Sequence, residues 1–216
     1  MPAHILSDIP FPIDMPFLTS ALRLKPDSRH ALRLAELATN AQHIAQPKAA
    51  YLVPDPTAIT DDSVTFDGVT FQSRLLSTNL SHATAIFPFL TTCGREIEAW
   101  AKTLSDPLEI FWADTLMALA LAAAIQALER RLAPECDSHP LSSMNPGSLE
   151  DWPLTEQRPL FTLLDDAPSA IGAHLNESCL ISPLKSVSGI YFIATEQFIN
   201  CQLCPREKCP ARRAPR

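Results

Sequence analysis

Apolar and polar positions follow two rhythms along this chain. In residues 27–46, Leu32, Leu34, Leu37, Ala38 and Ile44 recur at partly helical spacing, Asp27 or Ser28 can cap the start, and Pro47 ends it, which predicts a helix. Residues 51–53 predict a short strand stopped by Pro54. The run SVTFDGVTF (63–71) holds two β-prone segments around Asp67-Gly68, a favoured hairpin turn. An apolar run over 85–90, leading into Thr91-Thr92-Cys93-Gly94, predicts a buried strand ending in a turn. Residues 97–104 and 109–132 predict helices. The second has Glu109 and Asp114 near its start and Arg130 and Arg131 at its end, which suits the helix dipole, and its Ala-rich middle permits close approach of a neighbour. Residues 133–153 are polar and Pro-rich and predict a loop. Residues 154–164 predict a short helix starting near Thr155. Residues 171–181 and 186–195 predict two strands around Ser182-Pro183, paired as an antiparallel hairpin. There is no internal repeat and no regular βαβ alternation. The expected class is therefore α+β, a single domain with a curved, mainly antiparallel sheet packed on helices and the 109–132 helix at its core. Its expected extent is 1–199, followed by a cysteine-rich basic tail over 200–216.

Composition narrows the functional classes. Hydrophobic residues make up 46% of the 216 and charged residues 19%, which excludes disorder of the whole chain. The formal net charge is −7, against the basic balance usual for a nucleic-acid binder. The 20 prolines are scattered singly and punctuate elements. The first residues lack a basic start and carry Asp8 and Asp14, unlike a signal peptide. The longest apolar stretch, 111–128, contains Asp114 and Gln126; a charge near the centre of a membrane helix costs roughly 3 kcal/mol. A buried helix in a cytoplasmic protein is expected, with neither membrane nor nucleic acid as a partner.

Three segments carry candidate chemistry. Of six cysteines, three crowd into the C-terminal run CQLCPREKCP as Cys201, Cys204 and Cys209. A C-x2-C pair sets two thiolates on one turn, and a third sulfur four residues on can close the same loop around one metal. Arg206, Lys208, Arg212, Arg213 and Arg216 surround them against Glu207 alone, a positive field that favours thiolates. An iron–sulfur cluster fits and so does zinc, with a fourth ligand from Cys93, Cys136, Cys179 or outside the chain. Cys93 and Cys179 also suit a role as small buried hydrophobes. The second segment, NESCLISPLKSVSG (176–189), offers Glu177, Ser178, Lys185, Ser186 and Ser188 in apolar surroundings, with Ser186 and Ser188 on one face of a strand. The third, SMNPGSLEDW (143–152), is a Pro-Gly turn whose backbone groups are exposed.

Taken in order, Pro146-Gly147, DWPLTEQRPLF (151–161), Ile171-Gly172, LNES (175–178), PLKSVSG (183–189) and the cysteine run resemble the activation (reactivation) domain of vitamin B12-dependent methionine synthase. The likeness is closer to free-standing members of that family that carry a cysteine-rich tail beside corrinoid methyltransferases. FDGVTF (66–71), Thr92-Cys93-Gly94 and the Ala-rich helix extend it over nearly the whole chain.

The resemblance implies an accessory protein for reductive reactivation of a cobalamin-dependent methyltransferase. Such a protein docks over a corrinoid held by its partner and binds S-adenosylmethionine (AdoMet), and the partners implied are that corrinoid protein and an electron-donor protein. The ligand groove it implies comprises Asn145, Pro146, Gly147, Ser148, Asp151, Glu177, Ser178, Lys185, Ser186 and Ser188. Ser143 and Ser148 stand where the family's loop carries Arg and Tyr, so a bidentate carboxylate clamp is missing there. No Asp-x-His-x-x-Gly signature for binding B12 occurs, so any corrinoid comes on a partner. The tail implies electron delivery. Two other classes compete: a structural cap on a corrinoid protein with a zinc-fixed tail, and a small iron–sulfur carrier. Nearly two hundred residues before the cysteines count against the carrier.

Overall fold

The computed structural model describes residues 2–200 and Leu203. The chain opens with a short strand, β1 (His4–Leu6), and a helix of about two turns, α1 (Met15–Ala21), started by the Asp14 carboxylate accepting from Phe17 N. Helix α2 (Arg29–Ile44) begins where Ser28 Oγ accepts from Ala31 N, so Ser28 and not Asp27 is the cap. Strand β2 (Lys48–Tyr51) lies slightly upstream of the run expected from sequence. Then come β3 (Ala58–Ile59), β4 (Ser63–Phe66) and β5 (Val69–Gln72). The β4–β5 turn has Asp67 at φ +46° and Gly68 at φ +81°, the geometry that matches strand twist in a two-residue hairpin.

Helix α3 (Arg74–Leu80) follows, then β6 (Ala85–Thr92), α4 (Arg95–Ala101) and α5 (Pro107–Leu132). Asp106 caps α5 by accepting from Leu108 N at 2.8 Å and Glu109 N at 3.2 Å, with Pro107 next. The remaining elements are β7 (Leu141–Met144), α6 (Gln157–Leu164), α7 (Ala167–Ala170), β8 (His174–Leu175), β9 (Ile181–Ser182) and β10 (Ser186–Ile193).

The central sheet has the order β1-β2-β6-β10-β7, and each neighbouring pair is antiparallel. Its residues alternate between two cores, as the two-residue period of a strand requires. Ala50, Ile86, Leu90, Ile190 and Phe192 face a cluster with Phe66 and Phe71 of the hairpin, Leu76 and Leu80 of α3, Trp152, and Leu160 and Leu164 of α6. Ala49, Tyr51, Phe87, Phe89, Tyr191 and Ile193 face Leu128 and Leu132 of α5. Phe89 and Tyr191 stack there at 4.3 Å. The first half of α5 packs with α2 and α4 in a third cluster around Trp112, Leu116, Leu34, Leu37 and Ile97. The α5 segment is long and apolar enough to cross a membrane by length and composition, but its buried stripe, Trp112, Leu116, Ala120, Ala124, Leu128 and Leu132, is used up against the sheet and helices.

The expected α+β class and core helix are what the fold has. Two expectations fail. Residues 171–181 are not one strand, and they do not pair with 186–195. Cys179 takes φ +60°, and Asn176 Oδ1 accepts from Leu180 N at 2.9 Å, so a turn closes between the two-residue strands β8 and β9. That leaves β10 to pair with β6 on one side and β7 on the other. The second failure is the 133–153 loop, which contains β7. Leu-Ser-Ser-Met has weak strand propensity alone, and its pairing with β10 supplies what propensity lacks. Truncating Phe89, 1% exposed and central in β6, should lower stability by about 3–5 kcal/mol in denaturant titrations of Phe89→Ala.

Candidate functional site

Three candidate residues, Asn145, Ser186 and Ser188, meet at β10. Ser188 Oγ, 2% exposed with its residue, donates to Gln157 Oε1 of α6 at 2.6 Å. The Ser188 carbonyl accepts from Asn145 Nδ2 at 2.8 Å. Gly189 beside it is needed for space. A Cβ there would lie 2.3 Å from Met144 O and 2.6 Å from Asn145 Nδ2. The small residue lets β7 and the start of the Pro-Gly turn close on β10.

The turn itself is held from below. Gly147 N donates to Trp152 O at 2.8 Å and Ser148 N to Asn145 O at 3.1 Å, with Gly147 at φ +81°. Pro146, Leu149 and Trp152 are buried, while Gly147 and Ser148 are exposed. The structure thus brings Asn145, which begins this turn, against Ser188 and Gly189, while Gly147 faces Leu154. Ser143 lies just before them on β7, opposite Tyr191.

Other candidates are engaged elsewhere. Asp151 Oδ2 accepts from Ser73 Oγ and from Leu75 N at 2.9 Å, so it joins Ser73 in starting α3. Glu177 and Ser178 are exposed in the β8–β9 turn, where the Glu177 carbonyl accepts from Arg158 Nη2 at 2.5 Å. At the start of β10, Ser186 Oγ sits 2.7 Å from Pro183 O and 2.9 Å from Thr92 Oγ1. Lys185 Nζ pairs with Asp114 of α5 at 2.9 Å.

A charged cluster adjoins this end of the sheet. Glu98 of α4 accepts from Leu184 N at 2.6 Å and pairs with Lys102 at 2.9 Å. Partial burial works to raise the Glu98 carboxyl, but the Leu184 N–H, Lys102 and His174 together hold it below the usual carboxylate range. Burial, helped by the charge of Glu98, pushes the Cys93 thiol up to about 12. Cys136 is also raised, first by burial and then by Glu135 and Asp137. Cys93, Cys136 and Cys179 are free thiols, and Cys93 and Cys179 are buried. Cys201, Cys204 and Cys209 lie outside the described residues. Among the described residues, no three His, Cys, Asp or Glu side chains gather as a metal site.

A cavity of about 680 Å³ opens between the first turns of α2 and α5, lined by residues including Arg29, His30, Arg33, Glu109 and Trp112. None of the candidate residues lines it. Sequence reasoning missed Gln157, Glu98 and Asn200. The signal for Gln157 was present: it falls at helical spacing with Leu160 and Leu164, which puts an amide on the buried face of α6. Glu98 and Asn200 have no comparable pattern, since their partners Leu184 and Asn145 are distant in sequence.

By sequence the chain matches no protein-family model and no curated protein. Among solved structures it is similar to the crystal structure of the MetH reactivation domain bound to AdoHcy, with a TM-score of 0.63 and 17% identity. The match covers 92% of this chain and 80% of that one. The likeness establishes a shared fold: mixed helices and antiparallel sheets in the arrangement of that reactivation domain.

Two outcomes follow from this geometry. Gly189→Ala should cost about 1–3 kcal/mol through the clash with Met144 O, read as a lowered denaturant midpoint. The depressed Glu98 carboxyl contributes stability that is present above its ordinary value and disappears as pH falls through the depressed one. The stability of the native chain should therefore fall more steeply below about pH 4 than that of Glu98→Gln, followed by thermal melts across pH.

Proposed function

We propose that this chain is an accessory protein for reductive reactivation of a cobalamin-dependent methyltransferase such as methionine synthase. In this reading it works in the cytoplasm, seated over the corrinoid of a partner and served by an electron-donor protein. The observation that carries the reading is the fold shared with a reactivation domain crystallised with AdoHcy, over 92% of this chain. The order of motifs from Pro146-Gly147 to the cysteine run supports it independently.

The ligand we assign is an S-adenosyl compound at the Asn145–Ser148 turn and the facing part of β10. The turn suits it in its backbone: Gly147 and Ser148 are exposed, and Trp152 fixes the Gly147 amide from the buried side. Asn145 holds the turn against Ser188 O, and Gln157 fixes the Ser188 hydroxyl, so the edge facing the ligand is set before binding. Ser143, in the position of the family's Arg, has no guanidinium to grip a carboxylate in two-pronged fashion, which leaves a weaker hold. Glu177, Ser178, Lys185 and Ser186 rim the same end of the sheet in this assignment. Asp151 acts through the turn by tying it to Ser73 and Leu75 of α3.

Cys201, Cys204 and Cys209 would hold one metal centre, iron–sulfur in this reading, beginning one residue after Asn200. When bound, AdoMet would supply an activated methyl group and the metal centre single electrons. The chain's own task is proximity: holding two large reactants in one orientation lowers the entropic part of the barrier.

Anaerobically prepared protein should be brown, contain iron and sulfide, and bind AdoMet in calorimetry. Cys204→Ser should lose the visible absorption together with reactivation of the partner methyltransferase. Full metal content and full activity in that variant would overturn the metal assignment. Colourless protein with stoichiometric zinc would put the zinc-fixed cap in its place.

A further inference from the structure

Residues 198–200 form a strap along the outer edge of β7. Ile199 bridges Ser143 in parallel, the one parallel contact against a sheet that is otherwise antiparallel among the described strands. Phe198 N donates to Ser142 Oγ at 2.9 Å, and the Phe198 ring lies 6.4 Å from Phe192 at the edge of the core. Asn200 Nδ2 then donates to Asn145 Oδ1 at 3.2 Å. The other end of the Asn145 amide donates to Ser188 O. One side chain therefore joins β10, the Pro-Gly turn and the end of the strap.

We propose that residues 198–200 are a latch on the S-adenosyl site, with Asn145 as the positioning residue that couples the two. The inference rests on the site assignment made above and adds its regulation. Asn145 begins the turn, and its carbonyl accepts from Ser148 N. Fixing its side chain between Ser188 and Asn200 restricts the turn to the conformation in which Gly147 and Ser148 are presented. A ligand that binds this conformation binds the latched protein more tightly, and by linkage it tightens the latch by the same factor. The latch is poised and not locked. Asn200 Oδ1 is buried with no hydrogen-bond partner among the described residues, which costs free energy in the latched state. A two-state element near balance is what a ligand can shift. The strap also leads into the cysteine run at Cys201, so the latch joins the two candidate functional segments.

The test uses the full chain, AdoHcy as probe, and two variants outside the assigned ligand contacts, Asn200→Ala and Ser142→Ala. In the native chain, saturating AdoHcy should slow amide exchange at Phe198, Ile199 and Asn200. Each variant should speed that exchange without ligand and weaken AdoHcy binding about fivefold or more. Tight AdoHcy binding that is unchanged in both variants, with strap exchange indifferent to the ligand, would overturn the latch and leave the site. Absence of AdoHcy binding to the native chain would overturn the site reading and the coupling with it. The native-chain exchange measurement decides the matter even if a variant fails to fold.

Discussion

Pairing of β10 along both of its edges is the constraint on which the rest of the molecule depends. Eight residues of β10 lie in register with eight of β6, from Ser186 opposite Thr92 to Ile193 opposite Ala85. Four of the same residues lie in register with β7 on the other side. A strand bonded on both edges has no freedom to slip, because a shift of one residue would turn Ile190 and Phe192 out of one core and Tyr191 and Ile193 out of the other. That fixed register sets Ser188 and Gly189 beside Asn145, and so sets the Pro-Gly turn beside the sheet.

The charged groups at the end of this sheet serve the same placement. Lys185, just before β10, is tied to Asp114 on the core helix, and its carbonyl accepts from Cys93 N. Glu98 holds the backbone of Leu184 from α4. These contacts anchor the entry to β10 from two helices, so the strand starts from a defined point. Asp151 anchors the far side of the turn to α3. Polar candidate residues thus divide into those that build the turn's frame and those that remain exposed at its rim, Ser148, Glu177 and Ser178.

Much of this was legible in the sequence where signals are local. Asp67-Gly68 specifies its own hairpin, and the acidic start, apolar Ala-rich middle and basic end of 109–132 specify a helix, whose cap at Asp106 lies just before the predicted start. Strand β7 was not legible, because Leu141-Ser142-Ser143-Met144 becomes a strand only through β10, some fifty residues later. The supposed strand over 171–181 fails because its polar Asn176-Glu177-Ser178 stretch is a turn, closed by Asn176 Oδ1 accepting from Leu180 N with Cys179 left-handed, a signal outweighed by the apolar residues on either side. Motif order led to the turn and to β10, whose adjacency spacing alone does not encode. The roles of Asp151 and Lys185 as anchors depend on partners at Ser73 and Asp114 that no pattern links to them.

The most direct measurement is a map of backbone amide shifts in isotope-labelled full-length protein titrated with AdoHcy. The turn and β10 compete as a binding place with the cavity between α2 and α5, which has both a volume and charged walls. The expected result is a set of saturable shifts at Asn145, Gly147, Ser148 and residues 186–189, with Arg29, Arg33, Glu109 and Trp112 unmoved. Saturable shifts at those four residues with the turn and β10 silent would contradict the placement of the site.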